Sequence, residues 1–299
     1  MLSGWSSQSS KASRWASFGL SQRFICDRLN VPLARTALEQ RSDAVYARSS
    51  LTLNDRVRVV ADDAGQIPAD VSASGQVTLG VEAFVGNIRA NGSVWLRDRS
   101  LVEGTVRATG NIVKQNGVVV LPGSLEGFCT KFDDFTLTAP FAPGISDLMV
   151  NNDSTRTIGP GDSIRDLTVR ARGTLALSSG LYVFRNINVE AGASLLVPSD
   201  TWVYITGSGD QYIRGDMTAN AAHVFFGFPN AKTVLLGGEW RAALVAPKGN
   251  VIGDMHDMAK LEGNFFVDAF TLHQGRWLEA VPFLGSWIPT CDSNKANCH

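Results

Sequence analysis

The segment from Asp166 to Val197 reads DLTVRARGTLALSSGLYVFRNINVEAGASLLV, and it restricts the possible fold more than any other part of the chain. Apolar and polar residues alternate through it, which is the period of a β-strand with one buried face. Glycines interrupt the alternation at Gly173, Gly180 and Gly192, where we expect sharp turns between short strands. The pairs expected to face inward are Leu175/Leu177, Tyr182/Phe184, Ile187/Val189 and Leu195/Val197. Short strands at such regular spacing are typical of a β-solenoid.

A repeat runs through an earlier part of the chain. The pattern Gly75/Val77/Leu79 maps onto Gly92/Val94/Leu96, an offset of 17 (92 − 75). The pattern Gly86/Ile88/Ala90 maps onto Gly104/Val106/Ala108, an offset of 18 (104 − 86). This spacing, with internal units of about six residues, fits three short strands per turn. The sequence therefore predicts a parallel β-helix.

Four regions differ in composition. Residues 1–50 are rich in serine and then in helix-forming residues, and we expect a partly helical cap over an open end of the solenoid, or alternatively an amphipathic helix on a membrane surface. The β-helix is predicted over 51–290. It is interrupted around 128–161, where the rhythm fails and the prolines of APFAP favour a loop excursion from the wall. Residues 291–299 form a polar C-terminal tail.

The charge balance argues against a nucleic-acid partner, and the lack of long apolar stretches argues against a membrane span. The 299-residue chain has 27 basic and 28 acidic residues, so its formal net charge of −1 provides no general field for a phosphate backbone. We therefore expect no nucleic-acid partner. No apolar stretch approaches the roughly 18 residues of a membrane helix, and no apolar core of a secretion signal is visible near the start.

Cys291 and Cys298 bracket the polar sequence CDSNKANC. A disulfide between them would close a small loop and would indicate an oxidising compartment. The alternative is a pair of free thiols. None of the four cysteines has the C-x-x-C spacing of a zinc or redox site.

The metal-ligand candidates are Asp254, His256 and Asp257 in NVIGDMHDMAKLEG. These side chains, with His273 from the following turn, could ligate a metal if the loop curled. The plainer interpretation is a solvated loop, since no regular element fixes their geometry. No cofactor is predicted.

The sequence also bears on catalysis and on sugar binding. The carboxylates are mostly single and no G-x-S-x-G motif occurs, so no catalytic residue is assigned and a non-enzymatic function is predicted. Aromatic side chains could instead form a stacking platform for sugar rings, or could pack in the core. The residues concerned are Trp95, Trp202, Trp240, Trp277 and Trp287.

Residues 140–285 resemble a β-helical domain of bacterial surface proteins, often myxobacterial, with choice-of-anchor and polymer-forming relatives. The resemblance is carried by the segment from Asp166 to Val197, by VLLGGEWRAALVAPKGNV and by GNFFVDAFTLHQG. The later positions that match are Gly237/Gly238, Ala243 to Pro247, Gly263 to Phe266 and Leu272 to Gly275. It implies a right-handed, single-stranded β-helix, export to the cell surface or matrix, and no catalytic residues. The bactofilins, which are cytosolic β-helical filaments, are a looser resemblance.

We therefore expect an all-β protein, a right-handed single-stranded parallel β-helix with an N-terminal, partly helical cap. Its expected function is that of a non-catalytic structural or adhesive component of a bacterial cell surface or extracellular matrix. Open strand edges at the ends favour self-association into a fibre, and surface polysaccharide is a second expected partner. The alternatives are a carbohydrate-binding or polysaccharide-active β-helix protein and a cytosolic bactofilin-like scaffold.

Overall fold

A computed structural model describes residues 43–61, 65–121, 123–126, 135–254 and 259–284. Within them, the regular structure is β-strand apart from one 3₁₀ helix, Ala221–His223. The strands up to residue 126 are β1 (Val45–Leu53), β2 (Arg58–Val60), β3 (Val71–Ala73), β4 (Gln76–Leu79), β5 (Phe84–Val85), β6 (Ile88–Ala90), β7 (Val94–Leu96), β8 (Leu101–Val102), β9 (Val106–Ala108), β10 (Ile112–Lys114), β11 (Val119–Val120) and β12 (Ser124–Glu126). Those that follow are β13 (Ser146–Val150), β14 (Thr155–Ile158), β15 (Ile164–Val169), β16 (Thr174–Leu177), β17 (Gly180–Phe184), β18 (Asn186–Val189), β19 (Ser194–Leu196), β20 (Thr201–Ile205), β21 (Asp210–Ile213), β22 (Asp216–Thr218), β23 (Val224–Gly227), β24 (Thr233–Leu236), β25 (Trp240–Arg241), β26 (Ala243–Gly253), β27 (Lys260–Glu262), β28 (Phe265–Leu272) and β29 (Trp277–Glu279).

These strands form an all-β solenoid of about ten turns, as the sequence predicts. Stacked strands pair in parallel, and the predicted repeat sets their register. Val77 pairs with Val94 at the offset of 17, and Ile88 pairs with Val106 at the offset of 18. The handedness of the solenoid stays a prediction.

The turns enclose one core between three faces. The first face contains the sheet β11-β8-β5-β2-β29-β27-β25 and the sheet β14-β16-β19-β22. The long strands β1, β26 and β28 cross the corner between the other two faces, and their register shifts there. Their C-terminal parts stack with β4, β7 and β10 on one side, while their N-terminal parts stack with β3, β6 and β9.

The turns do not stack in the order of the chain. Val45 of β1 pairs with Phe265 of β28 on one side and with Val71 of β3 on the other. The first described turn therefore lies in the middle of the stack, on top of the last one. One end of the stack is formed by β10, β11 and β12, and the other by β13 and β14. The strands form one solenoid, as the sequence predicted. Its turns do not follow the order of the chain because both edges of β1 are paired, one with β28 and the other with β3 and β4.

A buried polar cluster joins the two halves at this junction. Asp43 accepts hydrogen bonds from Ser72 Oγ at 2.7 Å and from Arg89 Nη2 at 2.5 Å. Asn264 Nδ2, in the turn below, donates to the backbone oxygen of Asp43 at 2.7 Å. Because buried polar groups are costly when unpaired, these contacts favour this docking of the two halves over others.

The chain must pass from one end of the stack to the other between β12 and β13. Its described part, residues 135–145, runs along the outside of the third face, and we call it the return segment. Phe135 lies against Tyr46 and Phe266, with ring centroids 5.7 and 6.3 Å apart. Leu137 lies over Gly227, where a β-carbon would approach Leu137 Cδ2 to 2.8 Å. The return segment thus covers an outer face that is otherwise rich in aromatic side chains.

Two boundaries predicted from the sequence differ from those in the structure. The loop expected around 128–161 is shorter, because β13 and β14 lie within it and pair with β15 and β16. Strand β1 begins inside the expected cap of residues 1–50, and the rest of that cap lies outside the described residues. The described chain joins the stack at its middle, whereas we expected an N-terminal cap over an end.

The core consists of inward-facing columns that run through successive turns. All eight residues predicted to face inward are buried in it: Leu175, Leu177, Tyr182, Phe184, Ile187, Val189, Leu195 and Val197. Each fully buried side chain of this size contributes roughly 1.5–3 kcal/mol. Of the predicted turn glycines, Gly180 and Gly192 have positive φ, whereas at the third turn Arg172, just before Gly173, adopts it.

Candidate functional sites on the outer row and at the two ends

The second face carries a single outward-facing row along the whole stack. The strand registers place its members in consecutive turns: Met149, Thr168, Asn188, Tyr212, Leu235, Ile252, Thr271, Thr52, Thr78, Trp95 and Val113. We call this set the outer row. Each member is partly or well exposed, and each is apolar, aromatic or small and polar without charge. Spaced by one strand separation, about 4.8 Å, these side chains form a long surface suited to an extended partner.

A shallow groove lies on the outer row at Trp95. It has a volume of about 260 Å³ and is lined by Gln76, Thr78, Trp95, Leu96, Arg97 and Gln115. Trp95 is 44% exposed, because its neighbours in the row are the small side chains of Thr78 and Val113. The groove combines one aromatic face with several side chains able to donate hydrogen bonds.

The other candidate tryptophans that the structure describes do not form a platform with Trp95. Trp202 is 6% exposed on the third face, among the side chains that the return segment covers. Trp240 is 1% exposed in the core and donates a hydrogen bond from Nε1 to the Ala242 oxygen at 2.8 Å. Trp277 is half-buried beside Arg58, and Trp287 lies outside the described residues.

Ion pairs between successive turns flank the Met149 end of the outer row. The Arg165 guanidinium binds Asp147 through Nε and Nη2, at 2.9 and 2.8 Å. Arg185 likewise pairs with Asp166, with Nε at 2.9 Å from Oδ1. Hydrogen bonds from these guanidinium groups lower the pKa of both Asp147 and Asp166. A general acid of a glycosidase needs the opposite shift, so these carboxylates are suited to holding turns together.

Other carboxylates on the surface of the same half are similar. Arg172 lowers the pKa of Asp153 through a two-point contact at 2.7 and 2.8 Å. The pKa of Glu190 is lowered by the backbone N–H of Ala171 and, to a smaller extent, by Arg170. Together these pairs link neighbouring turns along the stack.

The end formed by β10, β11 and β12, which we call the Lys114 end, has polar residues at two inward positions. Lys114 pairs with Leu96 and so occupies a core column that holds leucine in the four turns below it. It is exposed, and its Nζ donates to Ser124 Oγ at 3.0 Å. Ser124 in turn occupies the column of Val106, Ile88 and Val71. The terminal turn has thus replaced core side chains by a cation and a hydroxyl.

The opposite end, formed by β13 and β14 and here called the Arg156 end, has a similar replacement. Arg156 pairs with Leu175, in a column that continues with Leu195 and Met217. It is exposed, while Ile158 on the same strand is buried. Both ends therefore carry a positive charge at a position that is apolar in the adjacent turns.

We expect these charges to oppose stacking of one copy on another. A second copy continuing the parallel stack would set Lys114 beside Val150 of its neighbour and Arg156 beside Val120, since these residues end the same columns. Each cation would lose water without gaining an acid from the partner column, which is costly. Charges that point inward at a sheet edge are a known protection against edge-to-edge association.

The metal-ligand candidates are only partly described. Asp254 and His273 lie in adjacent turns, since the His273 N–H donates to the Gly253 oxygen at 3.2 Å. His273 Nδ1 lies 3.4 Å from Asn54 Nδ2. His256 and Asp257 lie outside the described residues, so the choice between metal ligands and the plainer solvated loop is not tested. Within the described ranges, no three His, Cys, Asp or Glu side chains are grouped closely enough to hold a metal ion.

The sequence did not single out Arg276, which is 1% exposed in the core. It occupies a turn position that is apolar or small elsewhere in the column, and its guanidinium donates to backbone oxygens of Asp254, Ala259 and Gly237. It therefore satisfies carbonyls on both sides of the interruption after Asp254. A single basic residue inside an apolar repeat is the signal that could have identified it.

Cys291 and Cys298 lie outside the described residues, so their disulfide stays a prediction. No helix in the described part of the chain has the length and hydropathy to cross a membrane. Comparison of the chain with known proteins gives no match to a family model, to a curated protein or to a solved structure.

Proposed function

We propose that this chain is a non-catalytic structural or adhesive component of a bacterial cell surface or extracellular matrix, acting as a discrete rod. The observation that carries the proposal is the outer row, which keeps one register from Met149 to Val113. A rigid stack presents this row as a long, uncharged contact surface. Apolar and hydroxyl side chains of this kind suit an extended matrix polymer, which can follow the row from turn to turn.

The rigidity of the rod supports the same function. The return segment covers the third face, and ion pairs such as Arg165–Asp147 connect successive turns. The stack is therefore held by side-chain contacts as well as by its strand hydrogen bonds. A surface that does not deform on binding loses less conformational entropy when it engages a partner.

In this proposal the rod does not polymerise through its two ends. Lys114 and Arg156 oppose the head-to-tail association that open edges alone would favour. Contact through the side of the rod is therefore proposed in place of polymerisation through its ends.

Co-sedimentation with insoluble surface polysaccharide tests the proposal. The wild-type chain is expected to sediment with the polysaccharide, and charges placed on the outer row by Leu235→Glu and Ile252→Glu are expected to abolish this. A matched control, Thr174→Glu and Ser194→Glu, adds the same charge on the first face, where both side chains are half-buried. Loss of sedimentation in the control alone, or no sedimentation of the wild type, would overturn the proposal.

A carbohydrate-binding module is the second candidate, and the groove at Trp95 favours it. A polysaccharide-active enzyme has less support from the described carboxylates, because Arg partners lower the pKa of Asp147, Asp153 and Asp166. Release of reducing ends from polysaccharide by the wild-type chain would establish the enzyme.

A cytosolic bactofilin-like scaffold is the remaining alternative. It is separated from the surface protein by the redox state of Cys291 and Cys298 in protein taken from its native compartment. Mass spectrometry after thiol alkylation would show a disulfide if the surface proposal holds, and two alkylated thiols if the chain is a cytosolic scaffold.

A further inference from the structure

We infer that the groove at Trp95 is a binding subsite for an acidic glycan, one that contains uronic acid residues. This inference rests on the proposed function and assigns a particular place and chemistry on the outer row. The proposed ligand is a charged sugar, and binding of neutral sugars is the alternative that the test distinguishes.

The aromatic platform is Trp95. Its side chain stands on the outer face of β7 between Thr78 and Val113, two residues too small to cover an indole. The apolar C–H face of a pyranose ring can stack on such an exposed ring, as aromatic pairs do within proteins. By contrast Tyr212, the other well-exposed aromatic of the row, has Arg214 over its ring, with the guanidinium carbon 5.8 Å from the ring centroid.

Polar side chains border the platform on both sides. Gln76 and Thr78 lie in the turn below, joined by a hydrogen bond of 3.3 Å, and Gln115 lies in the turn above. Amide and hydroxyl groups can both donate to and accept from sugar hydroxyls. A ring stacked on Trp95 therefore has hydrogen-bonding partners at two of its edges.

The charge comes from Arg97. Its register neighbour in the turn below is Gly80, so that turn offers no side chain at this position. Glycine is required there because a β-carbon would lie 2.3 Å from the Asn54 carbonyl carbon. Among the described residues, no carboxylate binds Arg97, in contrast to the paired Arg165 and Arg185.

The lining of the groove contains no carboxylate. None of the six residues that line it is acidic. A guanidinium that binds no carboxylate of its own chain is a two-point donor for the carboxylate of a uronic acid. The flank of the outer row near Met149 differs from the groove, because its arginines are already paired with Asp147 and Asp166.

Isothermal titration calorimetry with oligogalacturonides tests the inference, with cello-oligosaccharides of equal length as the neutral probe. The wild-type chain is expected to bind the acidic probe and to bind the neutral one more weakly. Trp95→Ala should weaken binding about five- to tenfold, which corresponds to the loss of one stacking contact. Arg97→Gln should weaken binding of the acidic probe and remove its preference over the neutral one.

Phe141→Ala serves as the matched control, because it removes an aromatic side chain of similar exposure to Trp95 on the return segment, outside the outer row. Its affinity should equal that of the wild type. Equal affinity for both probes, or an Arg97→Gln variant that retains the preference, would overturn the assignment of an acidic glycan. No binding of either probe while the chain still sediments with polysaccharide would overturn the groove and leave the proposed function standing. Binding of the acidic probe to the groove without sedimentation of the chain would overturn the proposed function and leave the groove standing as a glycan subsite.

Discussion

Asn264 Nδ2 donates a hydrogen bond of 2.7 Å to the backbone oxygen of Asp43, although almost the whole described chain separates the two residues. Both residues are buried, at 2% and 3% exposure. This contact lies where the first described turn docks on the last. Such a junction depends on tertiary contacts alone, because no short connection holds its two sides together.

Replacing Asn264 by leucine should therefore destabilise the fold by about 1–3 kcal/mol, because it leaves the Asp43 oxygen buried and without this donor. Urea unfolding followed by circular dichroism measures the change. Asn188→Leu, on the outer row, is the matched control and should change stability by less than about 0.5 kcal/mol. Equal effects of the two substitutions would contradict the role given to the junction.

Gly227 should not tolerate a larger residue while Leu137 is present. Gly227→Val is expected to destabilise by about 1–3 kcal/mol, since its β-carbon would lie 2.8 Å from Leu137 Cδ2. Thermal unfolding of the two single variants and of Gly227→Val/Leu137→Ala forms a double-mutant cycle. The double variant should be more stable than the sum of the single effects predicts, although Phe225 Cε1 also lies 2.9 Å from the β-carbon position. Strict additivity would mean that Leu137 does not limit the space at Gly227.

Arg276→Met should be among the most damaging single substitutions, at about 3 kcal/mol or more, since it removes a buried cation and leaves several backbone oxygens unpaired. Guanidinium chloride unfolding gives the value. Arg58→Met, at an exposed position of β2 in the middle of the first face, is the comparison and should cost much less. A loss below about 1 kcal/mol for Arg276→Met would show that water or other groups replace its contacts.

Acid should weaken the side of the stack that carries Asp166. Because Arg185 lowers the pKa of Asp166 in the folded state, the pair stabilises the fold fully above the unfolded pKa of about 3.9. That contribution is lost as the pH falls through the lowered folded pKa. The melting temperature of Asp166→Asn should thus lie below that of the wild type at about pH 7, and the two should converge near about pH 2. A constant difference across this range would show that the carboxylate charge does not contribute.

Periodicity predicted the local structure well, and for a physical reason. The offset of 17 between Val77 and Val94 is the length of one turn, so stacked residues share the same inward position. Periodicity carries no information about which turns become neighbours, because every turn presents similar strand edges. The order of the stack follows instead from the docking of Val45 on Phe265. In hindsight, the charge of Lys114 in a leucine column was the available sign that a turn lies at an end.

The candidate sites were predictable to a smaller extent. Trp95 stood among the proposed sugar-stacking residues, but its exposure depends on the sizes of Thr78 and Val113 in the neighbouring turns. Trp202 follows the same alternation and is nevertheless covered, because the return segment lies on its face. A distant segment crossing a face leaves no periodic pattern in the strands that it covers.

The charges at the ends predict a gain of association when they are removed. Lys114→Leu/Arg156→Leu should form end-to-end filaments, since each terminal turn would then present apolar columns to the next copy. Lys248→Leu/Arg170→Leu removes the same charge from exposed positions on the sides of the rod and should stay dispersed.

The mass and shape of the wild-type chain test the central claim most directly. Light scattering after size-exclusion chromatography, with negative-stain microscopy of the same fractions, should show single-chain short rods at every salt and protein concentration. Long filaments of the wild-type chain, built through the Lys114 and Arg156 ends, would contradict the account of a discrete rod.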